Sequence, residues 1–269
     1  MRAAFPPRGL PVAVAGAVGL AALAWFDLWR RAAAMAHNAG MGTGTGMGSG
    51  MSMAMAMPSP MLWNVPDLVA AAAMWSVMMI AMMLPSAMPM LLFFSAAQRS
   101  RRAPSMVAMT ASLFAAGFLL CWLAWSCLAA GLQWSLQALL VLSPQLTVVR
   151  APLAAAILVV AGLYQFTPLK HACLARCQSP LSFLLTQWRD GPWGAVRMGM
   201  RYGAYCVGCC WALMALLFVV GVMNLMWIAL LAIFVLIEKT TVRGPWLGRA
   251  TGAALIAWAV YLLAVAPSA

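Results

Sequence analysis

Three cysteines, Cys206, Cys209 and Cys210, stand in the run Cys-Val-Gly-Cys-Cys, and Cys173 and Cys177 precede them with His171 just upstream. Offsets of three and four residues put each group on one face of a helix. Thiolates bind soft metals and also exchange with disulfides, so these residues read either as ligands or as a redox pair. The paired Cys-x-x-Cys knuckles of zinc fingers are missing. A second sulfur set is made of thioethers: fifteen of the 23 methionines lie between Met35 and Met90. A thioether is a soft ligand suited to Cu(I) and also a flexible filler of apolar gaps.

These methionines fall into two contexts. The stretch 35–61 holds eight of them with His37 among Gly, Ala, Ser and Thr, and it has no helical or strand period. A flexible chain carrying Met51, Met53, Met55 and Met57 can wrap several thioethers around one Cu(I), with Ag(I) as a mimic; zinc prefers Cys, His or carboxylate. The alternative is a low-complexity linker. Further on, Met74, Met78 and Met82 form one stripe of a helix, with Met79 and Met83 beside it, ahead of Pro85 and Pro89. Met78, Met82 and Met83 are candidate ligands here, and core packing explains the stripe about as well. Cys121 and Cys127, among apolar neighbours, read as packing residues.

The elements that must position these side chains follow from composition. Of 269 residues, 65% are hydrophobic and 7% charged, against roughly half and a quarter in a soluble domain. The apolar runs are continuous rather than alternating, which predicts an all-α integral membrane protein and not a barrel. Seven stretches are expected to span: 10–29, 67–94, 106–130, 152–169, 203–220, 225–237 and 250–266. The fifth and sixth come from one long run, divided at Gly221-Val222-Met223-Asn224. With the N-terminus inside, thirteen of the sixteen Lys and Arg fall on the cytoplasmic side, as the positive-inside rule requires, and the C-terminus is periplasmic. The net charge of +12 therefore orients helices. No basic–aromatic pattern points to nucleic acid.

The chain divides into residues 1–30, a first transmembrane helix or signal anchor; 31–66, a Met/Gly-rich extracytoplasmic loop expected to be disordered when unliganded; and 67–269, a six-helix membrane domain. Ala34-Met35-Ala36 resembles a cleavage site, but the preceding apolar run is longer than a usual signal peptide's. Arg201 is the last charge before the fifth span, so Cys206 is expected near the cytoplasmic interface with Cys210 about 6 Å deeper. Asp27 is expected to pair near Arg30 and Arg31, Asp67 to complement a helix N-terminus, and Glu238 to pair with Arg201 or Lys170.

The run Met79-Ile80-Ala81-Met82-Met83-Leu84-Pro85, the run Tyr164-Gln165-Phe166-Thr167-Pro168-Leu169-Lys170 with Cys173 and Cys177, and the run Tyr205-Cys206-Val207-Gly208-Cys209-Cys210-Trp211 together resemble a family of bacterial integral membrane proteins described as predicted metal-binding. The likeness continues through Gly221–Leu225 to Glu238-Lys239 and covers about residues 67–260. It implies a membrane protein that binds metal and no particular reaction. In the family pattern a histidine precedes the glycine before the Tyr-Cys motif. Tyr202 stands there in this chain, so a ligand or base is lost or Tyr202 replaces it by hydrogen bonding.

Without a Walker motif, a catalytic triad or a buried carboxylate relay, the chain shows no ATPase or hydrolase of its own and little support for a proton-driven pump, and a binding role is favoured over an enzymatic one. The expected function is copper handling or transport in the bacterial inner membrane, with Met ligands outside and Cys ligands toward the cytoplasm. Three alternatives stay open: an assembly factor that passes metal to a partner metalloenzyme, a membrane thiol oxidoreductase, and a structural subunit of a larger membrane complex. Beyond the bilayer and the ion, a periplasmic metallochaperone or metalloenzyme is the partner this reading calls for.

Overall fold

The computed structural model describes residues 10–41, 64–99, 103–139, 151–222, 224–241 and 244–265, and the elements in them are helices. In chain order these are α1 (Leu10–Met41), α2 (Val65–Gln98), α3 (Pro104–Ala138), α4 (Ala151–Tyr164), α5 (Pro168–Gln178), α6 (Pro180–Gln187), α7 (Gly191–Ala215), α8 (Leu217–Val220), α9 (Leu225–Thr240) and α10 (Gly244–Val265). Helix α1 runs through Met35 and His37, both expected in an irregular loop; Met51, Met53, Met55 and Met57 lie outside the described residues.

Helix α2 is the central element. It opens with a capping box in which the Asp67 carboxylate accepts from the Asn64 N–H at 3.0 Å, satisfying a donor that the helix itself leaves unpaired. Pro85 and Pro89 lie inside α2 without ending it. Pro85 has no N–H to give the Ala81 carbonyl, and the Trp25 indole of α1 donates to that oxygen at 3.0 Å. The proline thus creates an acceptor, and α1 docks partly by filling it.

Two expected spans are corrected. The stretch 152–169 is not one helix: it breaks after Tyr164, and α4 and α5 are bent by 62°. Thr167 caps α5 by accepting from the Lys170 N–H at 3.3 Å, with Pro168 in the first turn; a Thr-Pro pair starts a new helix rather than continuing an old one. Helix α7 starts at Gly191, not Gly203, because Gly191 (φ 86°) turns the chain and a proline follows in the first turn. Arg197 and Arg201 therefore ride on the exposed side of α7, their long stems able to carry the charge outward. Cys206 is consequently well inside this helix, not at its beginning. The expected division of the long apolar run holds: Gly221 has φ 99°, and Asn224 caps α9 by accepting from the Trp227 N–H at 3.4 Å.

Glycine permits the closest crossings. A Cβ on Gly117 of α3 would collide with the Val196 carbonyl, and one on Gly199 of α7 with the Phe114 carbonyl, while on Gly203 it would lie 3.0 Å from the Cys121 sulfur. Gly199 and Gly203 form the small-xxx-small pattern that lets membrane helices approach. Gly162 of α4 and Gly252 of α10 do the same at a second crossing.

Among the described residues, four helical segments are long and apolar enough to cross a membrane, and a fifth if α4 and α5 count as one bent span. Exposed Leu23, Phe26, Leu123, Leu128, Val160 and Leu263 face outward, where a soluble protein would place polar groups. This is an all-helical membrane-type fold.

Candidate metal centre

Sulfur from three helices meets beside α7. Cys206, Cys209 and Cys210 are all buried, as is Cys177 of α5. The thiols of Cys209 and Cys210 both donate to the Cys206 carbonyl, at 3.1 and 2.9 Å, the back-bond that small polar side chains make to the preceding helical turn. Cys177 and Cys209 face each other across the α5–α7 interface, within electrostatic reach. From α2, the Met83 thioether stands 3.9 Å from the Cys210 sulfur. Cys173 lies against Gly208, where a Cβ would come within 2.8 Å of its sulfur. Tyr164, at the end of α4, donates its hydroxyl to the Gly208 carbonyl. Glycine at 208 is what lets α5 approach α7 closely.

These distances can be set against metal geometry. With metal–sulfur bonds of about 2.3 Å, two sulfurs on one ion stand about 3.8 Å apart at a tetrahedral angle and about 4.6 Å apart when linear. The Met83–Cys210 separation falls within that interval. Among the described residues no three His, Cys, Asp or Glu side chains converge as a metal-holding group. The orientation of Cys209 and Cys210 toward their own helix is one reason: their sulfurs must turn from the Cys206 carbonyl to face a common ion. The donor chemistry, thiols with a thioether, fits a soft cation.

Two buried cations flank the sulfurs. Lys239, in the last turn of α9, donates to the Cys206 sulfur at 2.9 Å and to the Ser86 hydroxyl at 3.0 Å. The Ser86 hydroxyl in turn donates to the Met83 carbonyl at 2.8 Å. Glu238, one residue earlier and about 100° around the helix, points elsewhere and pairs with Lys170 of α5 at 2.5 Å, both fully enclosed. Lys170 also donates to Gln165 in the α4–α5 break. Glu238 Oε2 and Gln165 Nε2 are buried without a hydrogen-bond partner. Gly248 of α10 covers this pair, since a Cβ there would lie 2.8 Å from Glu238 Oε1 and 3.3 Å from the Lys170 ammonium. Removing one member of such a pair costs about 3–5 kcal/mol, although the intact pair adds little net stability. Gln178 ties α5 to the end of α9 by donating to the carbonyls of Glu238 and Thr241, at 2.8 and 3.0 Å, two of the acceptors a helix C-terminus leaves open.

A family model described as a copper chaperone, PpoB2, matches residues 72–262. The chain belongs to the PpoB2 copper chaperone family. The match takes in the membrane-type helices from α2 onward, the five cysteines described above and both buried lysines. It leaves out α1 and the methionine-rich stretch 35–61. No curated protein and no solved structure matches the chain.

For this PpoB2-family chain, the expected site residues separate. The structure places Cys177, Cys206, Cys209 and Cys210 along the α5–α7 interface, with Met83 against Cys210, and no three of these cysteines converge on one point. Cys173 is beside them, on the Gly208 side. Met78 and Met82 are buried in α2, which suits core packing. His171 is half-buried with Nε2 unpartnered, within electrostatic reach of Arg249 and Lys170 rather than against a sulfur. Arg201 bonds Gln187, so Lys170 is the partner of Glu238. Asp27 pairs with Arg31 at 2.6 Å. Cys121 donates to the Met200 carbonyl at 3.1 Å and packs the α3–α7 crossing; Cys127 is exposed. Tyr202 is buried among Phe114, Phe118 and Phe183, an aromatic packing role.

Lys239 and Ser86 were not singled out by the sequence as part of the site. The available signals were a lysine closing an apolar run and a serine directly after a helical proline. Neither specifies which way its side chain turns.

Proposed function

We propose that this chain binds Cu(I) at the α2–α5–α7 junction and delivers it to a partner metalloenzyme. Cys206, Cys209 and Cys210 are the primary ligands, with Cys177 and Met83 able to complete the shell. The observation that carries the reading is the meeting of thiol and thioether sulfur from distant helices, with Met83 and Cys210 at 3.9 Å. The family description favours delivery over transport or thiol oxidation. The stretch 35–61, with Met51, Met53, Met55, Met57 and His37, is read as an outer collecting segment. The protein is read as crossing the bacterial inner membrane seven times, α1 and α9 joining the spans above. Helix α9 has 16 residues, about 24 Å at 1.5 Å per residue, which is short for a core of about 30 Å.

The test is metal analysis of the purified full chain in detergent after loading with Cu(I) or Ag(I). A sulfur-only first shell by X-ray absorption is expected, and at least about a hundredfold loss of affinity in the Cys206→Ser/Cys209→Ser/Cys210→Ser variant. Undiminished binding by that variant removes the cysteine site.

A further inference from the structure

We propose that Met79 and Met214 form a second, thioether-only site for a monovalent soft cation, one helical turn from the Met83–Cys210 contact. The inference rests on the reading of the sulfur junction as a Cu(I) centre and adds a neighbouring holding position to it.

Helix register carries the inference. Two contacts join α2 to the α7–α8 segment, one on either side of this pair. Met83 meets Cys210 at 3.9 Å, and Trp75 meets Phe218 with ring centroids 5.0 Å apart. From the first contact to the second, residue numbers fall along α2 and rise along α7, so the two segments run in opposite directions. Met79 lies midway between Met83 and Trp75, and Met214 lies midway between Cys210 and Phe218. Positions i and i+4 share a helix face. Met79 and Met214 therefore occupy the rung between the two contacts, about 6 Å along the helices from each. Both side chains are fully enclosed, which leaves the space between the helices for their sulfurs.

The chemistry of that rung differs from the cysteines'. A thioether carries no proton and no charge, so it donates to a soft ion without first being ionised. The whole charge of a bound ion then stays in an apolar surround, at a cost that rises steeply with charge and turns away a divalent ion. Met83, the i+4 neighbour of Met79, is within reach as a third thioether. The rung is closed on the side away from the cysteines. Trp75 donates its indole N–H to Gln133 at 2.8 Å, and both are buried, so the ring that meets Phe218 is held in place. Methionine is also a filler of apolar gaps. What sets this pair apart from Met78 and Met82 is that it continues a line of sulfur already joined to a cysteine.

The experiment is the Ag(I) stoichiometry of the purified full chain in detergent, by equilibrium dialysis and metal analysis. Met79→Leu/Met214→Leu is expected to bind about one Ag(I) fewer than wild type. Its thermal midpoint should be nearly unchanged, because leucine almost conserves the volume. The single Met214→Leu variant is expected to lose the same ion and serves if the double variant does not fold. Met78→Leu/Met82→Leu removes as many buried thioethers from the core and is expected to lose none. The stretch 35–61 is the same in every variant, so the difference isolates the rung. Wild-type stoichiometry without Met79 and Met214, or an equal loss in the control pair, overturns the inference and leaves the cysteine centre standing. Undiminished Ag(I) binding in the triple serine variant overturns the cysteine centre instead, and the one-ion difference on removing Met79 and Met214 still decides the thioether rung.

Discussion

Met83 and Met82 are neighbours in sequence and equally buried, yet only Met83 has its sulfur against a cysteine. Methionine to leucine nearly conserves volume and costs less than about 1.5 kcal/mol in a core. Met83→Leu is therefore expected to leave the thermal midpoint in detergent nearly unchanged while weakening Ag(I) binding by about tenfold. Met82→Leu should alter neither quantity appreciably. If the two variants bind alike, Met83 is packing and the shell is thiol-only. Both residues looked the same in the sequence, because helical periodicity assigns a face but cannot say what that face meets. The cysteines were more legible: their spacing alone places all three on one side of α7.

At the scale of elements, the site depends on how closely helices cross. Gly199 meets the Phe114 backbone, which cannot move aside as a side chain can. Gly131, on α3, has nothing within 4 Å of a Cβ. Gly199→Ala is expected to lower the thermal midpoint in detergent and to disturb the cysteine row by separating α7 from α3. Gly131→Ala should be neutral or stabilising by up to about 1 kcal/mol, since alanine is the better helix former. Thermal scans of the two variants check this, and an equal response would show that the crossing is not glycine-dependent. Glycine's role was present in the sequence as Gly199-x-x-x-Gly203, but the partner helix was not. The bend after Tyr164 was likewise written in Thr167-Pro168. Reading 152–169 as one apolar run concealed it, since hydropathy averages over a helix start.

For the whole molecule, the bias of basic residues predicts a cytoplasmic N-terminus and a periplasmic C-terminus. Ser268→Cys should then react with a membrane-impermeant thiol reagent in intact cells, in a background where Cys127, the exposed native cysteine, is replaced by serine. Ser100→Cys in the same background should react only after permeabilisation. The reverse pattern inverts the molecule and the side from which metal arrives. What the sequence determined by itself is local and periodic: apolar helices, the break at 221–224 and cysteines sharing a face. These need only the 3.6-residue repeat and the chemistry of neighbouring residues. Tertiary structure decided which groups meet. Met83 and Cys210 are 127 residues apart, Lys170 and Glu238 are 68 apart, and Lys239 reaches Cys206 across 33. Such meetings depend on the rotation and depth of each helix, which are set by close packing at glycines and by buried polar ties between elements.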